Sequence, residues 1–233
     1  LNRHVSRLGT AAAALMVALA ATVGIAVMVD SMRSSVSDWL QDLLSADLYI
    51  AAEEFQQDAV LPQAVVLQAP RLNGVADFSL YRDSMVQLGQ HRSRMVAARL
   101  AGQSQAGFDL VAQLDADPWQ RYQQGEVMIS EPLAYRLQLK PGEELLVPTP
   151  QGDRAFRIAA IFRDYATEHG RFFINLKHYR ELWSDSKIDT LALFSENADG
   201  HALQLAASER FDTDYQLQYT DARAIYDESM KVF

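Results

Sequence analysis

IAVMVDSMRSSVSDWLQDLL, Ile25 to Leu44, carries two environments in one pattern. Its first five residues have no charge and suit hydrocarbon. The rest holds three aspartates, an arginine and five serine or glutamine residues. Even so, Met32, Val36, Trp39, Leu40 and Leu43 recur mostly at three- and four-residue intervals and so share one helical stripe. Asp30, Arg33, Ser37, Asp38 and Gln41 fall largely on other faces. No proline or glycine interrupts. The spacing predicts one helix from about Val5 to Leu44, running about 60 Å at a rise of 1.5 Å per residue. It leaves an apolar medium without stopping, and could carry a push or a rotation into whatever follows.

Upstream, Thr10 to Val29 reads TAAAALMVALAATVGIAVMV, a charge-free run of the ~20 residues needed to cross a hydrocarbon core of roughly 30 Å. Gly24 and the two threonines are tolerated in such helices. Arg3, His4 and Arg7 precede the run, which places the N-terminus in the cytoplasm and everything after Asp30 outside. A cleaved signal peptide shares the basic start and apolar middle, and Ala18 to Ala20 offers a small-residue cleavage pattern. The run is longer than a usual signal core, and no turn follows it.

Of the 233 residues, 49% are hydrophobic, enough for a folded chain. With no cysteine, disulfides and thiolate metal sites are excluded. The net charge is -9, and removing Arg3 and Arg7 leaves -11 from Asp30 onward. An acidic surface of this kind argues against nucleic acid, which needs a basic face, and against a polybasic membrane-surface role.

Beyond the long helix the elements are short. ADLYIAA (Ala46–Ala52) suits a strand. Pro62 opens a helix that should end near Pro70. Asn73-Gly74 marks a turn, and Val75–Leu88 with His91–Leu100 read as strands joined at Gly89. Asp117 and Pro118 read as the N-cap and first residue of a helix. EVMIS after Gly125 is a strand, and EPLAYRLQL a helix. A hairpin, entered at Pro141-Gly142, turns at Gln151-Gly152, its second arm alternating Phe156, Ile158, Ala160 and Phe162. GRFFINL is a strand and KHYRELW a turn or two of helix. IDTLALFS, ADGHALQLAASERF and YQLQYTD then form a β-α-β series. The closing ARAIYDESMKVF has a helical pattern without a cap, which suggests a longer natural chain.

The expected class is α+β. Residues 1–45 form the membrane helix and its stalk. Residues 46–120 with 186–221 form a mixed α/β lobe. Residues 121–185 form a strand-rich inserted lobe, a small barrel or a β-layer, and 222–233 a helix returning to the membrane.

A search for chemistry finds little. P-loop, GxSxG and HExxH patterns are absent. The histidines His4, His91, His169, His178 and His201 have no metal-ligand spacing. Glu168 adjoins His169, but a solvated loop explains that pair as well. Glu53-Glu54, Asp115-Asp117 and Asp212-Asp214 could act as acid and base only if they met across a cleft. Trp119, Tyr122, Tyr135 and Trp183 could line a groove or complete a core. No catalytic, cofactor-binding or metal-ligating residue is assigned, and no enzyme activity is expected.

Several stretches do resemble one family. A membrane helix running into VDSMRSSVSDWLQDLLSADLYI resembles the first periplasmic stretch of FtsX-like ABC transporter permeases with a MacB-type periplasmic core domain, where a long helix ends in an Ala-Asp-hydrophobic strand, here Ala46-Asp47-Leu48-Tyr49. GEVMISEPLAYRLQLKPGEELLV is similar to that family's motif at Ser130-Glu131, Ala134, Leu139 and Pro141-Gly142, with Glu143 where aspartate is common. FRIAAIFRDY resembles a further strand, with Ala160 replacing the usual glycine, and DESMKVF resembles the helix leading back to the membrane.

The resemblance implies a non-catalytic domain outside the cytoplasmic membrane, split into a mixed α/β lobe and a strand-rich lobe. It implies a separate cytoplasmic ATP-binding subunit whose ATP-driven closure moves the domain through long helices. It further implies a second permease copy or paralogue, and a periplasmic partner protein or a lipoprotein, lipid or peptide substrate. An extracytoplasmic sensor domain of a membrane receptor would share the layout.

Overall fold

The computed structural model describes residues 2–43, 46–52, 60–164, 167, 169–197 and 199–222, with the backbone alone for 2–11 and 35–43. Helix α1 runs unbroken over Asn2–Leu43, 42 residues or about 63 Å. It starts three residues before the expected Val5. Within it Ala12–Ser34 is a 23-residue stretch of mean hydropathy 2.5, and none of it is buried. Water would not tolerate so large an apolar surface, whereas lipid would. Of the predicted stripe, Met32 is exposed; Val36, Trp39, Leu40 and Leu43 lie outside the residues whose side chains are described, as do Glu53, Glu54 and the segment after Ala222.

Leu44–Ile225 is a second unit. It is built on ten strands: β1 (Leu48–Ala52), β2 (Val75–Leu88), β3 (His91–Arg99), β4 (Leu110–Gln113), β5 (Val127–Ser130), β6 (Glu144–Thr149), β7 (Gly152–Phe162), β8 (Arg171–Asn175), β9 (Thr190–Ser195) and β10 (Leu217–Asp221). Their order is β10-β1-β9-β2-β3-β8-β5-β7-β4, with β6 hairpinned onto β7. The helices are α2 (Gln63–Gln68), α3 (Gly102–Ala106), α4 (Pro118–Gln123), α5 (Glu131–Leu137), α6 (Leu176–Trp183) and α7 (Gly200–Phe211). The α+β class expected from the sequence is the class observed.

Local chemistry accounts for the helix ends. Asp117 accepts from the Gln120 amide at 2.9 Å, with Pro118 next, as its sequence predicts. Asp199 and Asn175 do the same for α7 and α6. The stop expected near Pro70 falls two residues earlier, at Gln68. A 3-10 turn over Ala69–Arg71 then carries Pro70 near its start, where a missing N–H costs nothing.

Among the described residues the strands of 121–185 extend the one sheet as a β-layer. The splice is β3 with β8, the parallel pair Arg94↔Arg171 to Ala98↔Asn175. Side-chain alternation along these strands feeds two cores. Ala97, Phe172 and Ile174 face Leu133, Leu176, Tyr179, Leu203 and Phe211 of the helices on one side. Val96, Ala98 and Phe173 join Tyr122, Met128 and Phe162 on the other. There Phe108 meets Trp119, Phe162 and Phe173 edge to face, with centroids 5.0–5.2 Å apart.

Tyr122 fastens the splice. It is 2% exposed, and its hydroxyl lies 2.8 Å from the carbonyls of both Ala98 on β3 and Ile174 on β8. Burial raises its ionisation well above the usual phenol range, so it remains a donor at any physiological pH. At the start of β8, Gly170 has φ +71°, and a Cβ there would lie 2.8 Å from the Leu133 backbone nitrogen. No other residue type fits that approach.

Residues 47–221 are long enough to bury a full core, and such a fragment should unfold in one cooperative transition with mixed α/β circular dichroism. In it Tyr122→Phe should cost about 1–2 kcal/mol through loss of the buried hydroxyl bond. Gly170→Ala should cost about 1–3 kcal/mol through backbone strain. Urea midpoints with unchanged slopes test both; a parent-like midpoint for Tyr122→Phe would show that the hydroxyl fastens nothing.

Candidate functional site: the first and last strands

Several described residues converge where the chain enters and leaves the sheet unit. β1 pairs antiparallel with β10 through five rungs, Leu48↔Asp221 to Ala52↔Leu217, and on its other side with β9 from Leu48↔Leu193. In an antiparallel pair the start of one strand lies beside the end of the other. The residues before Leu48 and after Asp221 therefore flank the same end of one ladder.

Asp47 is the hub. Its N–H donates to the Leu193 carbonyl at 3.1 Å, and its own carbonyl accepts from Ala222 N–H at 3.4 Å. Its carboxylate accepts from the Ser195 amide at 2.8 Å. One residue thus ties the incoming strand to the end of β9 and to the outgoing chain. Gly200, at the first turn of α7, closes on the same point: a Cβ there would overlap the Asp47 carbonyl oxygen and lie 3.3 Å from the Asp221 carboxyl carbon. The flanking alanines are almost wholly buried, Ala46 at 2% and Ala222 at 6% exposure. Ala46 packs in a small cluster with Ala101, Ala192 and Phe194.

The residues singled out for chemistry are spread elsewhere. Asp115 pairs with Arg121, and Asp117 caps α4. Asp212 accepts from the Tyr219 hydroxyl at 2.7 Å, and burial together with that carboxylate raises the tyrosine's ionisation. Asp115, Asp117 and Asp212 are thus committed to caps and pairs. His178 sits on α6 with its ring against Gly125, and His169 lies in a turn whose carbonyl accepts from Arg136. Among the described residues no group of three or more His, Asp or Glu could hold a metal. The four aromatics do not share a groove. Trp119 and Tyr122 fill a core, Trp183 stacks on Tyr179 at 5.0 Å, and Tyr135 is 80% exposed.

A second polar centre lies within the sheet. The Asp164 side chain is fully enclosed, 3.1 Å from Arg171 Nε, and accepts from the Thr167 hydroxyl at 2.7 Å. Arg82 holds Asp185 at 2.9 Å and Asp189 at 2.7 Å, binding β2 to the loop before β9. The Asp185 carboxyl also accepts from Tyr179; burial first, then that carboxylate, pushes the phenol up to about 12. These groups position elements of the sheet unit.

The model of the MacB-like periplasmic core domain matches residues 8–211. An uncharacterized ABC transporter permease protein of Mycobacterium tuberculosis is 28% identical over 242 residues, covering 99% of this chain; the chain spans 28% of that relative's length. The periplasmic region of MacB from Actinobacillus actinomycetemcomitans superposes with a TM-score of 0.58 at 10% identity, over 83% of this chain and 97% of that one. The extracellular domain of the noncanonic ABC-type transporter YknZ from Gram-positive bacteria gives 0.50 at 9% identity, over 76% and 99%. With its leading apolar helix, this chain belongs to the family of MacB-like periplasmic core domains of ABC transporter permeases.

Proposed function

We propose that the chain couples ATP hydrolysis, performed by a separate cytoplasmic subunit, to work outside the membrane. The observation that carries this is the Asp47 hub. The incoming and outgoing chain are hydrogen-bonded to each other and to β9, so the sheet receives displacement at one place. The orientation rests on Arg3 and Arg7 before the apolar run and on the acidic chain after it. Domain placement in the periplasm, membrane association and a partner ATPase agree with the family. A second permease copy or paralogue, and a periplasmic protein, lipoprotein, lipid or peptide as cargo, belong to the same proposal.

The division into 46–120 with 186–221 and a separate 121–185 is likewise proposed. It is supported by a charge contrast. The first stretch carries seven basic and sixteen acidic residues, the second nine of each. Displacement entering at β1 and β10 would reach 121–185 through β9, β2 and the clamped β3–β8 splice.

A reporter fused after Phe233 should be active only outside the cytoplasm; cytoplasmic activity would overturn the orientation. In the intact transporter, Ser35→Pro removes a backbone donor within α1 and clashes with the preceding turn, at a local cost of about 3 kcal/mol. Transport should fall while expression and ATP hydrolysis persist, and Ser35→Ala should be nearly silent. Parent-level transport by Ser35→Pro at equal protein would reduce the helix to a tether. Asp47→Ala removes an ionic hydrogen bond worth about 1.5–3 kcal/mol. It should destabilise the domain by that order in urea unfolding and lower transport per ATP hydrolysed.

A further inference from the structure

A cleft opens at the carboxyl ends of β3 and β8. It has a volume of about 370 Å³ and is lined by Leu80, Arg99, Asn175, Leu176, Lys177, Arg180 and Glu181. Its position follows from topology. β3 and β8 are parallel neighbours. After β3 the chain passes to the face holding Ala101, and Ser104 of α3 bonds Ser79 there at 2.8 Å. After β8 it passes to the opposite face, where Leu176 and Tyr179 of α6 join the larger core. Two adjacent parallel strands whose connections diverge to opposite faces leave a crevice beyond their carboxyl ends. Such switch points take ligands in open parallel sheets; in this mostly antiparallel sheet the β3–β8 pair supplies the same local geometry.

The charge of the crevice opposes that of its surroundings. Arg99, Lys177 and Arg180 converge on it from two elements, with Glu181 in the lining and Asp77 paired to Arg99, which leaves an excess of one positive charge. The flank that supplies Arg99 belongs to the strongly acidic stretch. Lys177 and Arg180 make no ion pair among the described residues and, three apart on α6, share one face. Arg99 is held in place, its guanidinium 3.9 Å above the Phe78 ring and 3.2 Å from the Asp77 carboxylate. Leu80 and Leu176 give an apolar floor, both under 8% exposed. Fixed and free cations over an apolar base match an anion that carries a small organic body.

We propose that this crevice binds a small organic phosphate, either free or as the headgroup of a lipid. The proposal is independent of the coupling role above. The test uses the full chain in neutral detergent, with amide spectra recorded during titration. Glycerol 3-phosphate is the free probe, glycerol its neutral control. Dihexanoyl phosphatidylglycerol is the lipid probe, with dihexanoyl phosphatidylcholine as the control for a headgroup without net charge. Saturable shifts centred on Arg99 and Asn175–Glu181 are expected. Shifts with glycerol 3-phosphate identify a free ligand; shifts with phosphatidylglycerol alone identify a lipid headgroup. Lys177→Glu with Arg180→Glu should weaken binding at least tenfold, while Arg154→Glu, an exposed cation on β7, should leave it unchanged. If the double charge reversal disturbs the spectrum globally, Lys177→Gln with Arg180→Gln decides in its place. No saturable shift with either phosphate, or undiminished binding by the double variant, overturns the site.

Discussion

The parallel pairing of β3 with β8 joins strands more than seventy residues apart in the chain, and no turn enforces it. Loop closure over that separation is entropically unfavourable, so side-chain packing and specific hydrogen bonds have to hold the register. Tyr122 supplies one such contact from outside the ladder by setting its hydroxyl against a carbonyl of each strand. Phe173, Ala98 and Phe162 surround the ring, so the polar contact is made in a dry environment where its loss is most costly. From the other face Gly170 lets Leu133 approach the start of β8. Shifting this pair would misplace both cores, because alternate residues serve opposite faces.

Two of the other pairings are local hairpins, whereas β1–β9, β2–β9 and β4–β7 also join distant segments. β2 and β3 are consecutive antiparallel strands, as are β6 and β7. β9 and β10 flank β1, and α7 crosses between them. The pattern is a β-α-β unit split by an earlier strand. Its consequence is that the first and last strands of the unit are neighbours, with Asp47 as the shared contact.

Much of this was legible in the sequence, and what was missed has physical reasons. The charge-free run from Thr10 could only be apolar helix, and the glycines at 89 and 152 marked hairpins because they supply the left-handed backbone those turns need. Asp117 announced its helix, since an acid before proline satisfies an amide that would otherwise lack a partner. Helix α3 was invisible because GQSQA has no apolar period. LVAQ of β4 is too short to show an alternation. The order of strands was not readable, because β3–β8 pairing leaves no mark in either segment alone. Asp47 stood out only as part of a family-like Ala-Asp pair; that its carboxylate holds β9 needs Ser195, 148 residues away. The cations of the crevice were equally unreadable, since Arg99 and Lys177 meet only through the splice.

The geometry of the first and last strands sets what kind of displacement the unit can take up. When both chain ends move together, the ladder moves as a body and no rung is loaded. When they separate, the load falls on the terminal rung, Leu48↔Asp221, and the pair would open one rung at a time. A net backbone bond contributes only about 1 kcal/mol, so an unzipping end is intrinsically weak. The Asp47 contacts lie at that end, outside the first rung. The Ala222 N–H bonds the Asp47 carbonyl, so separation of the ends must break that bond before it reaches the ladder, while the Ser195 N–H on the Asp47 carboxylate holds the entry of β1 to β9. Gly200 presses on the same carbonyl, leaving little room for it to turn away. The cluster thus resists separation of the two chain ends at the Ala222–Asp47 bond, ahead of the first rung of the ladder.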